Sequence, residues 1–436
     1  MRIELCSLSM TLGGVELRMG REARLLARAG YEPGIAVNLH PQIADWSEGL
    51  RSDGIPVHDY HPAPFLEDWL WLRENPFWDA AVWRRFRLRH KLWRIARRAM
   101  KPKARRYARE HYQSTRPDLV HLFLPWSGFE ATRLFLAHDN HLPVVLSVRN
   151  AFPKCRWSDW HRQHYRAAFS SVHGVYAISR SALDLFVDCY GEFIQAHTVL
   201  EVIHNSVDTD RFFPNPDRRR ILRQEFNLAE DNPVVGFVGR IEKQKRPQAM
   251  IQTFRLIKNK IDSAVLVLVG SGPMEADVRQ SIQAAGLTGS VILAGWKPNV
   301  EDYLQGFDVV LQLSNNEGFG TATIEAMACG VPVVGTDVPG TRDILQNGRG
   351  GCLVPLNDEQ AAADACIDLL SSAAKRCRFA GEAARYAGSQ FDEKTWEERI
   401  LNFYSGIGSR LPHRGSQPRG SEPVMRGRPE SDVVGP

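Results

Sequence analysis

The sequence predicts an α/β protein built from two doubly wound parallel sheets that face each other across a cleft. Three observations predict it. Short apolar strands alternate with helix-length stretches from Arg2 to Val207, the signature of a parallel sheet covered by helices. The alternation pauses at the linker from Asp208 to Pro216, which carries two prolines, and restarts at Val234. Several strands end in glycine, so the chain can turn sharply and approach a ligand at the strand tops.

In order, Arg2 to Leu8 reads as a first strand, followed by the glycine pair Gly13-Gly14 and a helix running to Ala29-Gly30. Such a pair between strand and helix can bring helix N–H groups up to a phosphate. Gly34 to Leu39 and Ile55 to Val57 read as the next strands. Leu119 to Phe123, Pro143 to Val148, Val172 to Ile178 and Val199 to Ile203 follow. Helices are expected over Phe129 to His138 and after Ser179, a good N-terminal cap.

In the second half, strands are expected at Val234–Gly239, Ala264–Val269, Val291–Ala294, Asp308–Leu313 and Val331–Val334. Helices are expected at Pro247–Lys258, Val300–Gln305 and Phe391–Phe403. The domain boundaries expected are 1–207, 208–390, a last helix at 391–408 and a disordered tail at 409–436, rich in Gly, Pro, Ser and Arg.

The length of 436 residues leaves ample chain for two cores. The seven cysteines are scattered, odd in number and form no CxxC pair, which argues against a disulfide framework or a zinc site and for a cytoplasmic protein. The N-terminal stretch lacks the apolar core of a signal peptide, and no apolar run is long enough to span a bilayer. Net charge is only +5, but residues 65–112 interleave tryptophans with many arginines and lysines. This segment reads either as a basic helix packing its aromatics on its own domain or as a contact with an anionic membrane surface. No nucleic-acid motif accompanies it, and no nucleic-acid partner is expected.

Chemistry concentrates around Glu317 to Val334. A strand leads into Glu317-Gly318-Phe319-Gly320, then a short helix with the cap-type residues Thr321 and Thr323, then Gly330 as a stop. Glu317 and Glu325 stand eight positions apart. Taken alone, the stretch is equally an ordinary strand–loop–helix with two solvated acids. Arg240 and Lys245 leave the first strand of the second half, where strand tops face the cleft. Together with Gly13-Gly14 and the N–H groups after Glu317, they can converge on one diphosphate.

These residues carry a resemblance. Gly239-Arg240 with Lys245, Val269 to Pro273 and Glu317 to Val334 resemble the donor domain of the retaining glycosyltransferases of family four, which have the GT-B fold. Gly13 to Glu16, Asp118 to His121 and Val202 to Asp208 resemble the family's first domain. The resemblance implies a nucleotide-diphosphate sugar donor and a glycan or lipid-linked acceptor, as in polysaccharide or lipopolysaccharide biosynthesis. It implies no cofactor and no metal.

By the same resemblance, Arg240 and Lys245 bind the diphosphate, Glu325 binds the ribose, and Glu317 with the Gly318-Phe319-Gly320 backbone contacts the transferred sugar. Gly13, Gly14, His121, Arg149 and Asn205 are the expected contacts from the first domain. The last helix, around Trp396, is expected to return to that domain.

Three positions depart from the family pattern. Phe123 stands where a second histidine is common, Ser206 where glycine is common, and Arg149 where histidine is common. Arg149 suits an anionic part of donor or acceptor. Asp208-Thr209-Asp210 formally matches a metal motif of another fold but lies in the linker, so no metal is expected there. His204 is expected to be structural. A peripheral position on the inner face of the plasma membrane follows if the basic segment binds lipid. Other readings that share the architecture are a sugar-nucleotide epimerase, a phosphorylase and a non-catalytic scaffold. A dinucleotide-dependent dehydrogenase is not expected, since no GxGxxG follows either first strand.

Overall fold

The computed structural model describes residues 1–7, 12–61, 102–124, 131–150, 157 and 159–411. Most of the basic segment and the tail from 412 therefore lie outside the described residues. The part of that segment at 102–112 belongs to a helix over 102–115. Ala104, Ala108 and Tyr112 are buried in it, while Arg105 and Arg106 pair with Asp139 and Glu110 on the outside.

Two parallel sheets organise the chain. The first contains β1 (Arg2–Ser7), β2 (Glu32–Val37), β3 (Val57–Asp59), β4 (Leu119–Leu124), β5 (Val144–Val148), β6 (Val172–Ala177) and β7 (Val199–Val202), in the order β3-β2-β1-β4-β5-β6-β7. The second contains β8 (Val234–Val238), β9 (Val265–Val269), β10 (Val291–Gly295), β11 (Val309–Gln312), β12 (Val333–Thr336) and β13 (Gly351–Val354), in the order β10-β9-β8-β11-β12-β13. All neighbouring strands pair in parallel. Because helices cover both faces, the central strands read as continuous apolar runs: β4, β5, β8 and β9 are buried throughout. In each sheet the strand order reverses beside the first strand, β1 or β8, and the carboxyl ends there open towards the other sheet.

The Glu393–Gly408 helix packs back on the first sheet. Trp396, Ile400, Phe403, Tyr404 and Ile407 join the core formed by Ile3, Leu5, Ile35 and Tyr176. On β6, Gly174 leaves the room this requires: a Cβ there would come within 2.7 Å of Phe403 and 2.8 Å of Ile407. Asp392 caps the helix by accepting from the Thr395 N–H at 3.0 Å, and Val207 N donates to Phe391 O at 2.7 Å beside it.

A buried polar network fixes this helix in register. Tyr404 Oη donates to Glu22 Oε1 (2.8 Å) and lies 2.6 Å from His121 Nδ1, and Tyr176 Oη donates to Glu22 Oε2 (2.7 Å). Glu22 and His121 are fully enclosed. Burial pushes the His121 imidazole below its ordinary pKa despite the neighbouring Glu22, so the ring is neutral at pH 7. Since the Tyr404 proton goes to Glu22, His121 Nδ1 is the donor to Tyr404.

A buried carboxylate that loses a donor keeps its desolvation cost. Tyr404→Phe is therefore expected to lower stability by about 1–3 kcal/mol. Trp396→Ala, which truncates a buried aromatic, should cost about 3–5 kcal/mol. Urea unfolding midpoints at unchanged slope check both.

Candidate active site

The cleft between the sheets is a cavity of about 630 Å³. Gly14, Arg18, Arg149 and Asn205 line it from the first sheet's side, and Arg240, Lys245 and Glu317 to Ala322 line it from the second's.

The second wall is built around a loop with no spare room. After β11 the chain runs through Ser314 to Glu317, and Gly320, at φ +95°, turns it into the Thr321–Ala328 helix. The cap is thus the left-handed Gly320 rather than a threonine side chain: no side-chain cap bond forms at this end, which leaves the first N–H groups facing the cleft. A Cβ on Gly340 would lie 2.6 Å from both Glu317 O and Phe319 N, and the Gly340 N–H donates to Glu317 O at 3.0 Å. A Cβ on Gly318 would lie 2.9 Å from Arg149 O and Asn150 Cα, across the cleft. Ser179, the cap of the Arg180–Tyr190 helix, donates its hydroxyl to Gly318 O at 2.9 Å while accepting from Ala182 N at 3.1 Å. The Phe319 ring is buried, stacks on His204 with centroids 5.3 Å apart and meets Phe391 edge-on at 5.5 Å. His204 Nδ1 bonds Ile178 O at 3.0 Å, a structural position.

The charges follow from these elements. Lys245 ends a short 3-10 turn, Lys243–Lys245, ahead of Arg246, whose φ of +53° is unusual for a residue with a side chain. An ion pair of Arg246 with Glu359 at 2.7 Å holds that conformation. Lys245 Nζ is thereby directed onto Glu317 Oε1, which also accepts from Ser314 Oγ at 2.8 Å. Arg240 is different: its side chain is 71% exposed, with Glu242 no closer than 3.6 Å, and is free to meet an incoming anion.

Not every expected residue lines the cleft. His121 is fully enclosed in the Glu22–Tyr404 network and is not a cleft contact, because β4 points it beneath the first helix. The Gly13 N–H is already taken by Glu16 Oε2 at 3.0 Å, so Gly14, the first residue of the Gly14–Arg28 helix, is the exposed member of the pair. Glu325 sits one turn beyond Thr321, half-buried and outside the cavity lining. There burial, reinforced by Glu301 and opposed by Arg211 and Arg18, raises its pKa to about 7. Asp208 Oδ1 accepts from the Asp210 and Arg211 N–H groups, a turn cap. Among the described residues no group of three or more His, Cys, Asp or Glu side chains is placed to hold a metal ion.

Residues 12–211 match the family described as Glycosyltransferase Family 4, and residues 218–386 match Glycosyl transferases group 1. The protein EpsD of Bacillus subtilis is 30% identical over 301 residues, covering 66% of this chain and 76% of EpsD. The chain belongs to glycosyltransferase family 4.

Another relative, the N-acetyl-alpha-D-glucosaminyl L-malate synthase of Bacillus anthracis, is 31% identical over 216 residues, half of this chain and 55% of that protein. The crystal structure of Anabaena Alr3699/HepE in complex with UDP superposes with a TM-score of 0.71 at 20% identity, covering 93% of this chain and all of HepE, and so shares the GT-B fold.

Within this family 4 chain, four contributors to the site went unread in the sequence. Gly340 follows Pro339 at a helix start, a dipeptide that signals a turn and says nothing of the backbone behind it. Ser179 was read only as a cap, and Ser314 lies in a loop. Arg18, one turn into the first helix, looks like an ordinary solvated arginine but is buried in the cleft wall.

The Glu325 carboxyl gives a prediction. Its folded pKa of about 7 lies above the ordinary 4.5, so between those values the folded chain holds a proton the unfolded chain has lost. Its contribution to stability therefore falls as pH rises through that window. At about 1.4 kcal/mol per pKa unit, the rise from 4.5 to about 7 costs on the order of 3 kcal/mol by pH 8. Glu325→Gln should flatten this pH dependence and raise the melting temperature at pH 8 relative to pH 5.

Proposed function

We propose that the protein is a retaining, metal-independent glycosyltransferase that moves a sugar from a nucleotide-diphosphate sugar to an acceptor hydroxyl. One observation carries the reading. Arg240, the Lys245–Glu317 pair and the open start of the Thr321–Ala328 helix line one cleft together with Gly14 and Arg149. Two cations and a helix N-terminus stabilise the negative charge that builds on a departing diphosphate, so the leaving group is served without a metal. Solved structures of HepE hold UDP and UDP-glucose, which makes uridine diphosphate the first probe of the donor.

The side chains divide the work. Arg240 is free to swing onto the diphosphate, and Lys245 exchanges part of its contact with Glu317 for a phosphate oxygen. Glu317 is buried, and both its bonds end on Oε1, which leaves Oε2 to accept from a hydroxyl of the transferred sugar. Tied to Lys245 and Ser314, it orients rather than attacks. Glu325, once ionised, accepts from the ribose hydroxyls.

The bond from the anomeric carbon to phosphate oxygen breaks with its electron pair going to the phosphate. The acceptor oxygen bonds to that carbon from the same face, and its proton passes to the departing phosphate oxygen. The acceptor fitting the sequence is a lipid-linked glycan or a cell-surface polysaccharide precursor, with the basic segment at 65–112 resting on an anionic cytoplasmic membrane face.

Arg240→Ala and Lys245→Ala should each reduce kcat/KM by about 10²–10³-fold. Near-normal transfer by Arg240→Ala, measured as release of nucleoside diphosphate, would sink the assignment. Binding to vesicles containing anionic lipid should weaken as salt is raised. Equal binding to neutral vesicles would remove the membrane contact from this reading.

A further inference from the structure

We propose that the cleft holds a second anion site, formed by Arg18 and Arg149 on its first-sheet wall, and that this site takes a phosphate or carboxylate group carried by the acceptor. The acceptor in this statement rests on the glycosyltransferase reading above.

Five cations line the cavity: Arg18, Arg21, Arg149, Arg240 and Lys245. Three face carboxylates. Lys245 is on Glu317, Arg21 donates through Nε to Glu393 at 2.7 Å, and Arg240 stands 3.6 Å from Glu242. Among the described residues, no carboxylate lies within ion-pair reach of Arg18 or Arg149. Arg18 donates instead to neutral oxygens of Ser206, Oγ at 3.1 Å and the carbonyl at 3.4 Å, and rests over the Trp396 ring at 5.0 Å. Arg149 donates to Asn205 Oδ1 at 3.4 Å and lies over Phe123 at 5.6 Å. Asn205 and Ser206 are consecutive, so one segment holds both guanidinium groups on the same wall.

Arg18 is only 8% exposed. A buried cation with no carboxylate within ion-pair distance is costly, and a like charge beside it raises that cost. Accordingly its pKa is pushed down to about 9, first by burial and then by Arg149 and Arg21, which the more distant Glu22 offsets only in part. An anion received at this pair relieves both terms at once. Guanidinium forks suit the paired oxygens of a phosphate or carboxylate. The donor's diphosphate has its own cations and helix start on the opposite wall, which leaves this pair for the other substrate.

The test is a thermal-shift titration of inorganic phosphate on the full chain saturated with UDP. Phosphate should raise the melting temperature above the UDP value. Arg149→Gln and Arg18→Gln should weaken that phosphate response by about tenfold or more, the scale of a lost charged hydrogen bond, while leaving the UDP shift in place. Arg240→Ala should do the reverse. The proposal is overturned if UDP-saturated protein gives no phosphate response. It is also overturned if the response survives both arginine substitutions, or if these weaken UDP as strongly as Arg240→Ala does. Should Arg18→Gln fail to fold, Arg149→Gln and Arg18→Lys decide the question. If UDP itself produces no shift, the uridine donor fails separately. The phosphate titration run without it still decides, by loss in Arg149→Gln against retention in Arg240→Ala.

Discussion

Residues 317 to 320 are clamped between two backbones. On one side Gly340 presses against Glu317 and Phe319, and on the other Gly318 meets Arg149 and Asn150 of the opposing half. Neither glycine has room for a methyl group against these main-chain atoms, and main chain cannot swing aside as a side chain does. This contact sets where Glu317 stands, and Glu317 in turn holds Lys245. The same clamp keeps the first turn of the Thr321–Ala328 helix aimed into the cleft. A ligand entering here meets groups already in position, and the ordering entropy is met when the chain folds rather than when it binds.

The charges of the cleft are arranged by wall. The second-sheet wall carries cations that already have a carboxylate within reach and can exchange it. On the first-sheet wall Arg21 is likewise paired, with Glu393, whereas the Arg18 and Arg149 guanidinium groups are supported by neutral oxygens and aromatic faces. A site built this way distinguishes two anions by what each must displace: an ion pair on one side, only weak neutral contacts on the other.

Much of this was legible in the sequence. Strands covered on both faces show as unbroken runs of Val, Leu and Ile, which is why β8, β9 and β11 could be placed within a residue or so. The Pro247–Lys258 helix was bounded by its first-turn proline. β13 and the helices Glu359–Leu370 and Ala373–Gln390 were not read: the strand is four residues long, and the alanine-rich helices show only weak apolar periodicity. At the site, Arg240, Lys245 and Glu317 announced themselves because glycine turns frame them. His121 was carried over from the family resemblance at Asp118 to His121, and only packing shows the first helix and Tyr404 closing over it. Arg18 was invisible for the opposite reason, since nothing in a helical arginine reveals that Trp396, hundreds of residues away, will cover it. Two of the departures from the family pattern, Arg149 and Ser206, do mark that wall.

The Glu393–Gly408 helix has a consequence for how the chain is made. One face of the first sheet, including Ile3, Leu5 and Tyr176, is completed by Trp396, Phe403 and Ile407. A ribosome delivers the strands of that sheet long before it delivers this helix. During synthesis the amino-terminal half therefore waits with an apolar face uncovered and with Glu22 lacking its Tyr404 donor, while the second sheet, whose cores draw on later residues only in small part, can close first. The half that begins the chain is thus completed only once the Glu393–Gly408 helix is available to pack on it.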